Sequence, residues 1–173
     1  MDNRLRRALF RESIILEAGL YRFNWQCDYW FDVQVFEGLV NQAQAVIQAN
    51  DKIKLLREAC ELYRGDYMDG SDADWCRVDR ERLREWHLGA LETLAALHTD
   101  QEELQMALEL YQSILSRDPY RESAYRGQMV CYYRLGDRAS AIRQYQTCVA
   151  LLREELGTSP APETNRLFFE ITG

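Results

Sequence analysis

The sequence predicts an all-α protein of tetratricopeptide-like antiparallel helical hairpins, preceded by a short helix end and a β-hairpin. Three observations carry this expectation. Ala107, Tyr111 and Ile114 recur 34 residues on as Ala141, Tyr145 and Cys148, while Leu91, Ala95 and His98 recur as Tyr125, Met129 and Tyr132. A period of about 34 is that of a helix–turn–helix repeat. A small residue followed four later by an aromatic lets two helices cross closely and fills the next groove. Only 9 Gly and 3 Pro in 173 residues favour helices over short strands. From Asp32 onward, apolar residues return every three or four positions.

The N-terminal 30 residues differ. Asn3 to Phe10 reads as a helix end, apolar at Leu5, Ala8 and Leu9 and basic at Arg4, Arg6 and Arg7, with Arg11 beyond. Ser13–Glu17 and Leu20–Phe23 are short β-branched or aromatic runs around Ala18-Gly19, which reads as a tight hairpin turn. This basic α/β piece is too short to fold alone.

Helical character then begins with Asp32 as N-cap and a stripe of Phe36, Val40, Ala43 and Ile47. A second helix carries Leu56, Ala59, Cys60 and Tyr63 and is expected to stop left-handed at Gly65. The polar loop 65–74 leads into a long helix striped by Trp75, Asp79, Leu83, Trp86, Ala90, Leu94 and Leu97. Glu103–Arg117 is the next helix, and Asp118-Pro119 supplies a cap and a first-position proline for one running to Leu135. After the Gly136-Asp137 turn, Arg138–Leu156 is expected to be the longest helix, about 30 Å, stopped by Gly157. Beyond Pro160 and Pro162, Glu163–Ile171 reads as a last helix capping the stack through Leu167, Phe168 and Ile171.

Composition narrows the function. A formal charge of -7 makes the body repel nucleic acid and anionic membrane. The chain has no apolar run long enough to span a bilayer, and its N-terminus lacks an apolar signal core. Five cysteines without a CxxC pair fit a reducing cytoplasm. Cys60, Cys131 and Cys148 sit among apolar neighbours and read as small core residues. Neither His stands at zinc-ligand spacing from a Cys pair, so no metal or other cofactor is expected. Glu102-Glu103 and Glu154-Glu155 are adjacent and cannot converge as an acid/base pair. A scaffold without a catalytic set points to recognition, not enzymatic activity.

Several phrases in order give the chain a resemblance to a known family. These are Asp32-Val33 with Phe36-Glu37, Tyr63-Arg64-Gly65-Asp66-Tyr67-Met68, and Trp75 with Arg80-Glu81-Arg82-Leu83. Asp118-Pro119-Tyr120-Arg121-Glu122, Gly136-Asp137-Arg138, Tyr145, and Glu155-Leu156-Gly157 with Pro160 follow. Together they resemble the bacterial transcriptional activator domain (BTAD) of SARP/AfsR-type regulators, across residues 32–171. Residues 3–24 resemble the tail of the OmpR-type winged helix that precedes this module in such regulators, with LRRAL ending the recognition helix and the hairpin forming the wing. The resemblance implies domains at 1–30, a winged-helix remnant, and 31–173, the activator module.

The implied function is that of the activator half of a cytoplasmic transcription regulator. It packs on its own winged-helix domain, supports homodimer or tandem-site binding, and assists recruitment of RNA polymerase or another protein. Promoter DNA is expected to bind only with the complete winged helix. There, Arg4, Arg6, Arg7, Arg11 and Arg22 are candidate phosphate contacts, against the plainer reading of solvated arginines. A stand-alone helical-repeat adaptor that never meets DNA is the alternative.

A second set of candidates comes from the repeat. Tyr125, Met129 and Tyr132, at equivalent positions, read as packing between hairpins. The opposite face of the same helix, with Arg126, Val130, Tyr133 and Arg134, maps to the inner groove, joined by Glu92 and Thr99 from the preceding hairpin. Two arginines, a tyrosine and apolar atoms suit an acidic or aromatic peptide, unless this is an ordinary amphipathic surface.

Overall fold

A computed structural model describes residues 13–24, 26, 30–71 and 73–173. The expected helix end at 3–10, with Arg4, Arg6, Arg7 and Arg11, lies outside the described residues, as does Cys27. The chain divides into two compact units, 1–35 and 36–173.

In the first unit, β1 (Ile14–Glu17) pairs antiparallel with β2 (Leu20–Phe23), Ile14 opposite Phe23 and Glu17 opposite Leu20. Ala18 (φ 53°) and Gly19 (φ 80°) make the turn with both central residues left-handed. That is the two-residue geometry matching the twist of a hairpin.

Seven helices follow among the described residues. They are α1 (Asp32–Ala45), α2 (Ala49–Leu62), α3 (Asp74–Asp100), α4 (Leu104–Arg117), α5 (Glu122–Arg134), α6 (Arg138–Leu151) and α7 (Pro162–Thr172). The pairs α1/α2, α3/α4 and α5/α6 are joined by short turns, and α7 closes the stack against α5 and α6. The fold is therefore all-α and tetratricopeptide-like. The core is continuous from α3 to α6 through Leu88, Leu91, Ala107, Tyr111, Tyr125 and Cys148. A smaller cluster of Met129, Ala141 and Ile171 seats α7, whose Phe168 ring stacks on Tyr145 at 3.9 Å. Ala107 and Ala141 are fully buried, as close crossings require.

Several local expectations are corrected. The α1 stripe holds at Phe36, Val40 and Ala43, but the helix ends at Ala45 and Ile47 is 96% exposed beyond it. Asp32 is the first helical residue, its carboxylate accepting from Val33 N–H at 2.9 Å. The helix α2 stops at Leu62, before Gly65, because Tyr63 leaves helical geometry (ψ 83°) and stacks on His87. Gly65 is not left-handed. Pro119 lies in a turn ahead of α5, not in its first turn: Asp118 accepts from Tyr120 N–H and holds the Arg121 guanidinium, delaying the helix to Glu122. The longest helix is α3, whose 27 residues span about 40 Å. The segment after Leu151 continues as a π-helical turn to Leu156, ending at left-handed Gly157. Trp75 projects from the open first turn of α3 and is exposed.

Candidate functional site

The first helices of successive hairpins, α3 and α5, lie beside one another and are tied by arginines at both ends. At one end Arg121 reaches Glu85 at 2.5 Å, Asp118 at 3.0 Å and Glu92 at 3.7 Å, its side chain 17% exposed. At the other, Arg134 donates to the Thr99 carbonyl at 2.9 Å and to Glu102 at 3.2 Å. The next seam, α5 to α7, is joined the same way. Arg126 donates to the Thr164 hydroxyl at 3.0 Å, and that hydroxyl donates to Glu122 at 2.7 Å. The Glu122 carboxylate also accepts from Ala161 N–H at 2.9 Å, just ahead of α7. Charge-assisted hydrogen bonds of this kind are stronger than neutral ones and fix orientation.

This geometry sorts the groove candidates. Arg134 and Glu92 pair with opposite charges across the α3–α5 seam, whereas Arg126 reaches the neutral Thr164 hydroxyl of α7. Thr99 is 7% exposed, its hydroxyl bonded back to the Ala95 carbonyl and lying 3.5 Å from Cys131 Sγ. It is a packing residue because a threonine facing inward on a helix satisfies its hydroxyl on the preceding turn. Val130 is half-buried, whereas Tyr133 is 52% exposed. Arg22, on the hairpin, pairs with Glu17 at 2.6 Å.

Three further constellations escaped the sequence reading. Arg80 donates to the carbonyls of Tyr67, Met68 and Ser71 at 2.7–2.8 Å, so one guanidinium ties down the α2–α3 loop. Tyr63 stacks on His87 at 4.1 Å, with Arg117 on the Tyr63 ring and Asp66 accepting from its hydroxyl. His87 is 3% exposed with Nδ1 unpartnered, and burial, helped by Arg117, lowers its pKa to about 4. The third is Cys76, fully buried in the first turn of α3, its thiol directed to the Ala73 carbonyl.

A signal for the arginine ties was available. A 34-residue period sets i and i+34 on adjacent first helices, so an arginine about one period from a carboxylate is a candidate tie. Arg121 with Glu85, 36 residues apart, and Arg134 with Glu102, 32 apart, both fit this spacing.

Burial pushes the Cys60 thiol up to about 12 and Cys148 up to about 11, and raises Cys131 too, so these cysteines stay protonated and inert. Among the described residues no three His, Cys, Asp or Glu side chains converge as a metal site. None of the described helices is long and apolar enough to cross a membrane.

A helical-repeat scaffold of stacked, arginine-tied hairpins is the class of protein that fold and site define. The chain belongs to the bacterial transcriptional activator domain family, whose pattern matches residues 31–172. It is similar to the Regulatory protein AfsR of Streptomyces coelicolor, 29% identical over 95% of this chain and 17% of that protein. The Transcriptional regulator RedD of the same organism is 30% identical over 91% of this chain and 45% of its own length. The chain therefore spans less than half of these relatives. Among solved structures it resembles Mycobacterium tuberculosis EmbR in complex with a low affinity phosphopeptide, with a TM-score of 0.76 and 20% identity, over 94% of this chain and 44% of that one. A TPR-containing C-terminal domain from Plasmodium falciparum matches with a TM-score of 0.61 and 13% identity, over 84% of this chain and 92% of that one. Both structural likenesses concern the fold alone.

Proposed function

We propose that this chain is the activator and interaction module of a bacterial SARP-type transcriptional regulator, acting in the cytoplasm without catalysis or cofactor. The observation that carries this reading is the family match across nearly the whole helical body. In it, residues 1–30 are the end of a winged-helix domain and 31–173 the activator module. The module holds the DNA reader in position, supports homodimer formation, and presents its inner face to RNA polymerase or another protein. Because Arg126, Arg134 and Glu92 are tied within the array, Tyr133 and Val130 are the groove residues left for a partner. Arg22, with Arg4, Arg6, Arg7 and Arg11, is assigned to DNA phosphates in the complete regulator.

The deciding experiment compares the chain with a version carrying the upstream winged-helix segment. The chain alone should bind duplex DNA weakly and without sequence preference, in keeping with its net charge of -7. The extended protein should bind a promoter tightly, with affinity falling steeply as salt rises through counterion release. Reporter transcription with footprinting then tests the module: Tyr133→Ala should lower transcription while leaving DNA occupancy intact. Nanomolar, sequence-selective binding by the chain alone at physiological salt would overturn the division of labour.

A further inference from the structure

The three second helices of the hairpins, α2, α4 and α6, are each 14 residues long and can be compared place by place. In the fourth place stand Lys52, Ala107 and Ala141, and in the eighth Leu56, Tyr111 and Tyr145. In the later two layers the eighth residue is an aromatic ring that plugs the space before the next first helix. Tyr111 lies over Gly127 of α5, and Tyr145 stacks on Phe168 of α7. In the first layer a leucine stands where the ring is needed, and a lysine replaces the alanine of the close crossing. Accordingly, α1 approaches neither α2 nor α3 as closely as α3, α4, α5 and α6 approach one another in sequence.

What remains is a cleft of about 320 Å³ between α1, α2 and α3. Val40, Leu56, Trp86 and Gly89 line it, together with Thr93, which stands one period before Gly127. A Cβ built on Gly89 would meet no heavy atom within 4 Å, so the space is open on that side. Lys52 and Glu85 also line the cleft and supply one donor and one acceptor.

We propose that this cleft receives an aromatic side chain, phenol or indole, carried by a partner polypeptide, the ring taking the place of the tyrosine that α2 lacks. Aromatic chemistry follows from the repeat, since the corresponding places in the next two layers hold tyrosine rings. A polar edge follows from Lys52 and from the Glu85 carboxylate, whose Oε2 takes Arg121 and whose remaining lone pairs can take a hydroxyl or N–H. A polypeptide source follows from the cleft's opening to solvent between α1, α2 and α3, which can seat a ring while the backbone that carries it stays outside. The proposal deepens the interaction-module reading and rests on it. Binding to the isolated chain tests the cleft, whereas transcription tests the module, so the two can fail separately.

The test is an NMR titration of the ¹⁵N-labelled full chain, reading the indole N–H of Trp86, one of 4 tryptophans, assigned through Trp86→Phe. Probes are N-acetyl-L-tyrosinamide, N-acetyl-L-tryptophanamide, a short peptide with one central tyrosine, and N-acetyl-L-leucinamide as control. The aromatic amides should shift Trp86 saturably, with affinity on the order of millimolar, and the tyrosine peptide at least as tightly. Leu56→Tyr, which restores the ring from within, should weaken binding by about tenfold or more and raise the Tm. Gly89→Leu fills the same space from α3 and gives the same result should Leu56→Tyr fail to fold. Equal response to leucinamide, response at Trp75 instead of Trp86, binding of free amides but not of the peptide, or unchanged binding in the folded variants would each overturn the proposal.

Discussion

The phenol ring of Tyr111 lies against the backbone of Gly127, where any other residue would carry its Cβ; a methyl built there would collide with Cζ and both Cε atoms. Gly127 sits in the interior of α5, where glycine is a poor helix former, so its presence answers a packing need. Gly127→Ala should destabilise the chain by about 1–3 kcal/mol despite the better helix propensity. Tyr111→Leu in the same chain should recover part of the loss, since residues in contact couple. Urea melts of the two single variants and the double variant measure this.

Ala141 is buried in the crossing of α5, α6 and α7, in the cluster with Met129 and Ile171. Ala141→Leu should overpack it and cost about 1–3 kcal/mol. An unchanged melting temperature would contradict the close crossing.

Arg121 and Arg134 tie the same two helices from opposite ends, but unequally. Arg121 gathers three carboxylates and is mostly covered, whereas the Arg134 side chain is 39% exposed with a single acidic partner. Arg121→Ala should therefore cost about 1–3 kcal/mol, and Arg134→Ala about 1 or less, much of it screened by water. Parallel denaturant melts in low and high salt should show the order and a larger salt response for Arg134.

The buried imidazole of His87 gives the fold an acid limit. Its pKa is lowered to about 4 by burial first and by Arg117 second, with Asp66 opposing. The unfolded chain takes up a proton near pH 6.5 while the folded one does not, so its contribution is whole above pH 6.5. It is lost as pH falls from there toward 4, on the order of 3 kcal/mol in all. His87→Phe keeps a ring on Tyr63 and should flatten the pH dependence of the Tm across that window.

The helical body was legible because its packing rule is local. Ala107 with Tyr111, and Ala141 with Tyr145, lie on one helix each, and their spacing exposes the crossing without knowledge of the partner. The hairpin was legible for the same reason, since Ala18-Gly19 carries its turn. The ties were harder to see, because each leaves its own helix: Arg121 meets Glu85 near one repeat period, but Arg134 also meets the backbone of Thr99, and Arg126 meets Thr164 of the capping helix. A charged side chain mapped to an inner face reads as available until the neighbour that consumes it is known. Ile47 shows the opposite error: its spacing continued the α1 stripe, but the helix had already ended.

In an ideal solenoid each unit meets only the next, and the ends fray while the middle holds. The helix α3 is the shared neighbour of the hairpins before and after it. Its first turns pair Arg82 with Glu37 of α1 and its middle meets Arg121, while its last turns receive Arg134. One rod thus runs through two layers, and neither layer can melt without disturbing it. The unfolding heat measured calorimetrically should then equal the van't Hoff value, as for a single cooperative transition. A force or a partner acting on the first hairpin is felt at the mouth of the second, along a lever about 40 Å in length.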